Sequence, residues 1–136
     1  MSIVTPLGTP MPLSAGEAFS MAGKVVIVTG AGGNVGSAIA EVFAVNDAAV
    51  VVSDLPGERI TRATDTLRGH DKVHGIACDL TKPDELSGLI EQTVAKFSRI
   101  DAIINCGAVP ASGPITEEDA SDFDRLYQTN VRAPWL

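Results

Sequence analysis

Residues 29–36, Thr-Gly-Ala-Gly-Gly-Asn-Val-Gly, follow directly on the apolar run at 25–28. A buried strand that ends in a glycine-rich turn and enters a helix presents backbone N–H groups and the positive end of the helix dipole to an anion. Gly30, Gly33, Asn34, Val35 and Gly36 are therefore candidates to cradle a pyrophosphate. About twenty positions further on, a second apolar run at 50–52 passes through Ser53 into Asp54, where the ribose of a dinucleotide needs a hydrogen-bond acceptor. A glycine pattern alone carries little weight, but together with this acidic residue it points to a nicotinamide dinucleotide.

Other residue groupings say less. His70, His74 and Cys78 are spaced by four and would face one metal on a continuous helix, but Gly69, Gly75 and the strand-like stretch 73–78 favour a loop and a strand, so no metal site is expected. Cys106 reads either as a thiol beside the cofactor or as a small buried core residue, the second being the commoner outcome. The phosphate loop of nucleoside triphosphatases, with its lysine and Ser/Thr, has no counterpart in this chain.

These residues need elements to position them. Stretches 25–29 and 48–53 are short, β-branched and apolar throughout, as expected of strands covered on both faces; 73–78 and 100–105 are the third and fourth candidates. Between them lie helical patterns, among them Leu86, Leu89, Ile90, Val94 and Phe97, with Thr81 as expected cap and Pro83 in the first turn. The helix after the glycine turn is expected to bury Val35, Ile39, Val42 and Phe43, with Gly36 and Ala40 small enough to allow close approach to the sheet. Alternating strands and helices predict an α/β Rossmann-type parallel sheet, order 3-2-1-4 and incomplete, with helices on both faces and the cofactor at the carboxyl ends of the strands. Residues 1–21, interrupted by Pro6, Gly8, Pro10, Pro12 and Gly16, are expected to be a loosely ordered arm, and 22–136 a single dinucleotide-binding domain.

With 136 residues and 45% hydrophobic content, the chain can bury one core and has no room for a separate substrate domain. A formal net charge of −7 argues against binding nucleic acid or an anionic membrane through bulk charge. Two cysteines make no disulfide framework, and the amino terminus lacks a secretory signal pattern, so a reduced, cytoplasmic setting is expected.

From about Ala22 onward the chain resembles the short-chain dehydrogenases/reductases in the glycine turn, Asp54, Cys78-Asp79-Leu80-Thr81, Asn105-Cys106-Gly107-Ala108 and Asn130. The resemblance implies that Asp54 holds the adenosine ribose hydroxyls, that Asp79 and Leu80 border the adenine, and that Asn105 and Gly107 flank the cofactor. With no Arg or Lys in the glycine turn or immediately after Asp54, NAD is expected rather than NADP. Two departures stand out: Asn34 occupies the place of the family's middle glycine, where its tolerance of positive φ would let the turn form, and Ala108 occupies a glycine position.

Ser121 is the expected cap of a last helix in which Phe123, Leu126, Tyr127, Asn130 and Val131 share a face. Pro134 supplies no N–H to the carbonyl of Asn130, which is left to hold a water or merely marks a kink. The resemblance implies the first role, with Asn130 the one catalytic position carried over. The family's serine and Tyr-x-x-x-Lys are absent: the one tyrosine, Tyr127, has Val131 four places on and reads as core. Without a placed acid/base, hydride transfer loses roughly two to four orders of magnitude, so this chain alone is expected to be inactive. A sheet ending at its fourth strand would leave that edge unpaired and Phe123, Leu126 and Trp135 partly exposed, so the chain reads as the amino-terminal part of a longer enzyme. The activity implied is hydride transfer between NAD and a small secondary alcohol or ketone, by an enzyme that forms a homo-oligomer when complete. A non-catalytic dinucleotide-binding module and an inactive remnant are the alternatives.

Overall fold

The computed structural model describes residues 15–111 and 113–136. Most of the arm expected at 1–21 lies outside them; its described part contains the short helix α1, Ala15–Phe19. The chain then alternates β1 (Val25–Thr29), α2 (Asn34–Val45), β2 (Ala49–Asp54), α3 (Glu58–Thr66), β3 (Val73–Ala77), α4 (Pro83–Phe97), β4 (Ala102–Asn105) and α5 (Ala120–Tyr127). A π-helical turn, Gln128–Arg132, joins α5 to the short α6, Ala133–Trp135.

All strand pairs are parallel, in the order β3-β2-β1-β4. Thr29 is in register with Ser53 on one side and Asn105 on the other, and Ser53 with Ile76. The strands therefore end level, and the loops that follow them meet at one edge of the sheet.

Alternation along the strands divides their side chains between two cores. Val26, Val28, Val50 and Val52 pack with Ala40, Ala44, Ala63 and Leu67 of α2, α3 and the turn after α3. On the other face Ile27, Val51 and Ile76 pack with Leu89 of α4 and Cys78. Residues of β1 and β2 are buried almost throughout because helices cover both sides. In β4, by contrast, Ile103 and Asn105 are exposed, and among the described residues the strand pairs only with β1. Of the described residues, no helix is long and apolar enough to cross a membrane.

Several local expectations are corrected. Val35 and Val42 of α2 are exposed, and the residues facing the sheet are Gly36, Ala40 and Ala44, with Ile39 and Phe43 packed at the side. A helix approaching a sheet this closely admits only small residues along the line of contact, so steps of four through Gly and Ala outweigh the larger valines. In α4, Leu89 and Thr93 are buried while Ile90 and Val94 are exposed. Thr81 is not the cap of α4: Lys82 stands there without a side-chain bond, and the Thr81 hydroxyl donates to Asp79 at 2.7 Å. Nor does Ser121 cap α5, since Asp119 and Asp122 form a reciprocal capping box there. Tyr127 is 50% exposed and stacks on Phe123 at 6.2 Å between ring centroids, because no described element covers this face of α5. Phe123 and Trp135 are exposed and Leu126 is half-buried, in line with the partial exposure expected of all three.

Candidate functional site

The level strand ends put the turn after β1, the carboxylate ending β2 and the loops after β3 and β4 around one cleft of about 340 Å³. Gly30, Gly33, Asn34, Val35, Gly36, Asp54, Asp79, Leu80 and Gly107 all line it. Asn105 does not; it borders the neighbouring hollow between α4 and α6. Asn130 also stays off the lining, although its neighbour Thr129 is on it.

Gly30 has φ +65°, and a Cβ there would lie 2.6 Å from the Cα of Gly107. At Gly36 a Cβ would lie 2.4 Å from the Gly30 carbonyl oxygen. The two loops and the start of α2 thus pack backbone against backbone, leaving main-chain groups at the cleft wall. Thr29 fastens this crossing: its hydroxyl accepts from Gly107 N–H at 3.3 Å and donates to the Ile104 carbonyl at 3.4 Å.

Helix α2 has Gly33 as its N-cap, no side-chain capping bond and no acidic residue in the first turn. Its first i→i−4 bond runs from Ser37 N–H to the Gly33 carbonyl at 2.9 Å. The amides of Asn34, Val35 and Gly36 precede that bond, so helix geometry gives them no partner, and the dipole adds positive potential at the same place. Asn34 begins the helix directly and is not among the residues with positive φ, so the tolerance expected of it is not called on.

Asp54 is buried and its carboxylate is held from three sides. Oδ2 accepts from Gly32 N–H at 2.8 Å, while Oδ1 accepts from Leu55 N–H and from Arg59 Nε–H, each at 2.8 Å. Arg59, in the first turn of α3, lines the cleft and pairs with Asp54; it lies beyond the glycine turn and the residues immediately after Asp54, the positions on which the expectation of NAD was based. Its signal in the sequence is a basic residue five positions beyond the acidic end of β2.

Asp79 accepts from the N–H and hydroxyl of Thr81, and its own N–H donates to Glu85 at 2.7 Å. The Thr81 hydroxyl bond is the main cause holding the Asp79 carboxyl below its ordinary range, helped by the Thr81 amide and the Lys82 ammonium. Cys78 lies beneath, its thiol pushed up to about 11 by burial and then by Glu85 and Asp79, which keeps it protonated and inert. Cys106, the second thiol, is half-buried and lines the cleft. His74 lies within β3 and His70 before it, so these two and Cys78 share no helix.

Asn130 lies in the π-helical turn, an interruption of the regular helix two turns from its start. Its side-chain amide pairs with the main chain of Val109 in both directions: Nδ2 donates to the carbonyl at 2.8 Å and Oδ1 accepts from N–H at 2.9 Å. This bond fixes the loop after β4 to the last helix, a role that no local sequence signal indicates.

A family model described as short chain dehydrogenase matches residues 24–136. Tropinone reductase-like 2 of Erythroxylum coca is 35% identical over 126 residues, which cover 90% of this chain and 45% of that protein. L-fucose dehydrogenase of Oryctolagus cuniculus is 38% identical over 112 residues, covering 81% of this chain and 38% of its own. The chain thus spans less than half the length of these curated relatives. Among solved structures, a short chain dehydrogenase from Mycobacterium smegmatis superposes with TM-score 0.79 at 30% identity, over 86% of this chain and 50% of that one. A 3-ketoacyl-(acyl-carrier-protein) reductase from Brucella melitensis, complexed with NADH, gives TM-score 0.78 at 29% identity, over 86% and 48% of the two chains.

Proposed function

This chain belongs to the short-chain dehydrogenase family, and from that premise we propose that it is the NAD-binding part of an oxidoreductase that interconverts a small secondary alcohol and its ketone. The observation that carries the reading is the cleft itself. The uncapped start of α2 and a buried Asp54 line one cleft, beside a turn in which Gly30, Gly32 and Gly36 leave no room for a Cβ. Amides and dipole suit a pyrophosphate, and the carboxylate suits a ribose hydroxyl. An NADH complex of a structural neighbour supports the same choice of ligand class.

Bound NAD would supply the hydride acceptor, and its reduced form the donor. Gly33, Asn34, Val35 and Gly36 would hold the diphosphate, Asp54 the adenosine ribose, and Asp79 with Leu80 the adenine side of the cleft. Asn105 and Gly107 would flank the nicotinamide half. For Asn130 we propose a structural part first, through Val109, and a proton-relay part through its carbonyl, to which Pro134 offers no N–H. A cytoplasmic setting and assembly with further subunits belong to the same proposal.

A second reading, a dinucleotide-binding module without catalysis, rests on the same cleft, which needs no acid/base to hold its ligand. Both readings require binding. A folded, monodisperse sample titrated with NADH and followed by nicotinamide fluorescence should saturate; no binding would remove both. Alcohol oxidation by this chain should be negligible, and turnover at ordinary dehydrogenase rates would show an acid/base not identified in these residues.

A further inference from the structure

Asp54 is a poorer ribose acceptor in this protein than its position suggests. An ionised carboxylate offers about four lone-pair sites. Three are engaged, by the amides of Gly32 and Leu55 and by Arg59 Nε–H. A ribose with two neighbouring hydroxyls needs two acceptors, and one site remains. The two amides belong to the glycine turn and the chain beyond β2 and cannot leave without unfolding it. Arg59 can, since its side chain is half-exposed and held to Asp54 through one nitrogen.

We propose that Arg59 is a specificity-determining residue, which competes with the adenosine ribose for Asp54 and supplies a cation to a 2′-phosphate. This rests on the dinucleotide reading of the cleft and deepens it. Arg59 is the one cationic residue lining the cleft among the described residues. Its position is built in: a Cβ at Gly32 would lie 2.5 Å from the Arg59 carbonyl oxygen and 3.0 Å from Asp54 Oδ2, so the start of α3 is seated on the glycine turn. One ribose hydroxyl can use the remaining site, but the second must displace the guanidinium, which costs a charge-assisted bond. A 2′-phosphate meets the repulsion of Asp54 but gains the guanidinium, whose fork matches phosphate oxygens. The preference for NAD over NADP is therefore smaller than Asp54 alone would impose.

The test is calorimetric titration of the wild-type chain and of Arg59→Met and Arg59→Lys with NAD, NADP, 5′-AMP and adenosine 2′,5′-bisphosphate. Arg59→Met should bind NAD and 5′-AMP more tightly and the two 2′-phosphorylated ligands more weakly, moving the ratio by about tenfold or more. Arg59→Lys, which keeps the charge, should retain most of the affinity for the 2′-phosphorylated ligands. An unchanged NAD to NADP ratio in Arg59→Met, with both still bound, would reduce Arg59 to a surface ion pair and overturn the inference. Failure of the folded wild type to bind any of the four ligands would instead remove the dinucleotide reading, and this inference with it.

Discussion

The sheet face under α2 and α3 and the face carrying α4 and α5 are built from the same strands, yet they bury their apolar residues to different extents. Under α2 and α3, four strand valines meet Ala40, Ala44, Ala63 and Leu67, and all eight are buried. On the opposite face the strand residues Ile27, Val51 and Ile76 are buried, but of α4 only Leu89 and Thr93 are, while Ile90, Val94 and Ile103 are exposed and α5 buries no residue. Trp135, in α6, is 84% exposed. The cleft borrows its rigidity from the first face. Turn 29–36, Asp54 and Arg59 all belong to the β1-α2-β2-α3 unit, whose core is complete among the described residues. The loop after β4 depends instead on two long-range ties, Thr29 to Gly107 and Asn130 to Val109.

The difference can be broken or sharpened by substitution. Leu67→Ala empties a fully buried site on the α3 face and should cost about 2–5 kcal/mol in urea denaturation. If it cost no more than a change on α5, the two faces would not differ in the way described. Acidification should act next, at Asp79, on the margin of the α4 face. Its carboxyl titrates below its ordinary value when folded, so the ionised form stabilises the native state above the unfolded value, and that contribution is lost as pH falls through the lowered one. Asp79→Asn should lower Tm at neutral pH, and its deficit against wild type should shrink below about pH 4. A deficit independent of pH would show that Asp79 acts by shape alone. The smallest change is expected from Phe123→Ser on α5, within about 0.5 kcal/mol of wild type because the ring is 65% exposed. The same variant should lower self-association in sedimentation velocity, since it interrupts an exposed apolar patch. A large loss of stability would mean that the Phe123–Tyr127 stack is a core contact.

Strand positions and six cleft residues, Gly30, Gly33, Asn34, Val35, Gly36 and Asp54, were legible in the sequence because each depends on short-range pattern, while sheet order followed from the alternation of strands and helices, and Asp79, Leu80 and Gly107 were implied by the family resemblance. An apolar run followed by glycines and a helix is one local unit, and Asp54 ends the next run. Helix faces were less legible. Val35 and Val42 carry apolar side chains that periodicity assigns inward, but close packing against the sheet selected Gly36, Ala40 and Ala44. Caps were misplaced by one or two residues at Thr81 and Ser121, where Asp79 and Asp119 compete for the same hydroxyls and amides.

By itself the sequence determined the strand-turn-helix unit and the acidic residue that ends the second strand, which follow from periodicity and turn chemistry within a few residues, and the parallel sheet, which follows from the alternation of strands and helices along the chain. Only the tertiary structure decided what those groups face. Gly107 reaches Gly30 and Thr29 because β1 and β4 run in register, and Asn130 reaches Val109 because the last helix returns over the loop after β4. Arg59, its side chain half-exposed, reaches Asp54 through a turn in which Gly57 adopts φ +100°. Such contacts depend on where separate loops end in space, and residue spacing along the chain does not encode that distance.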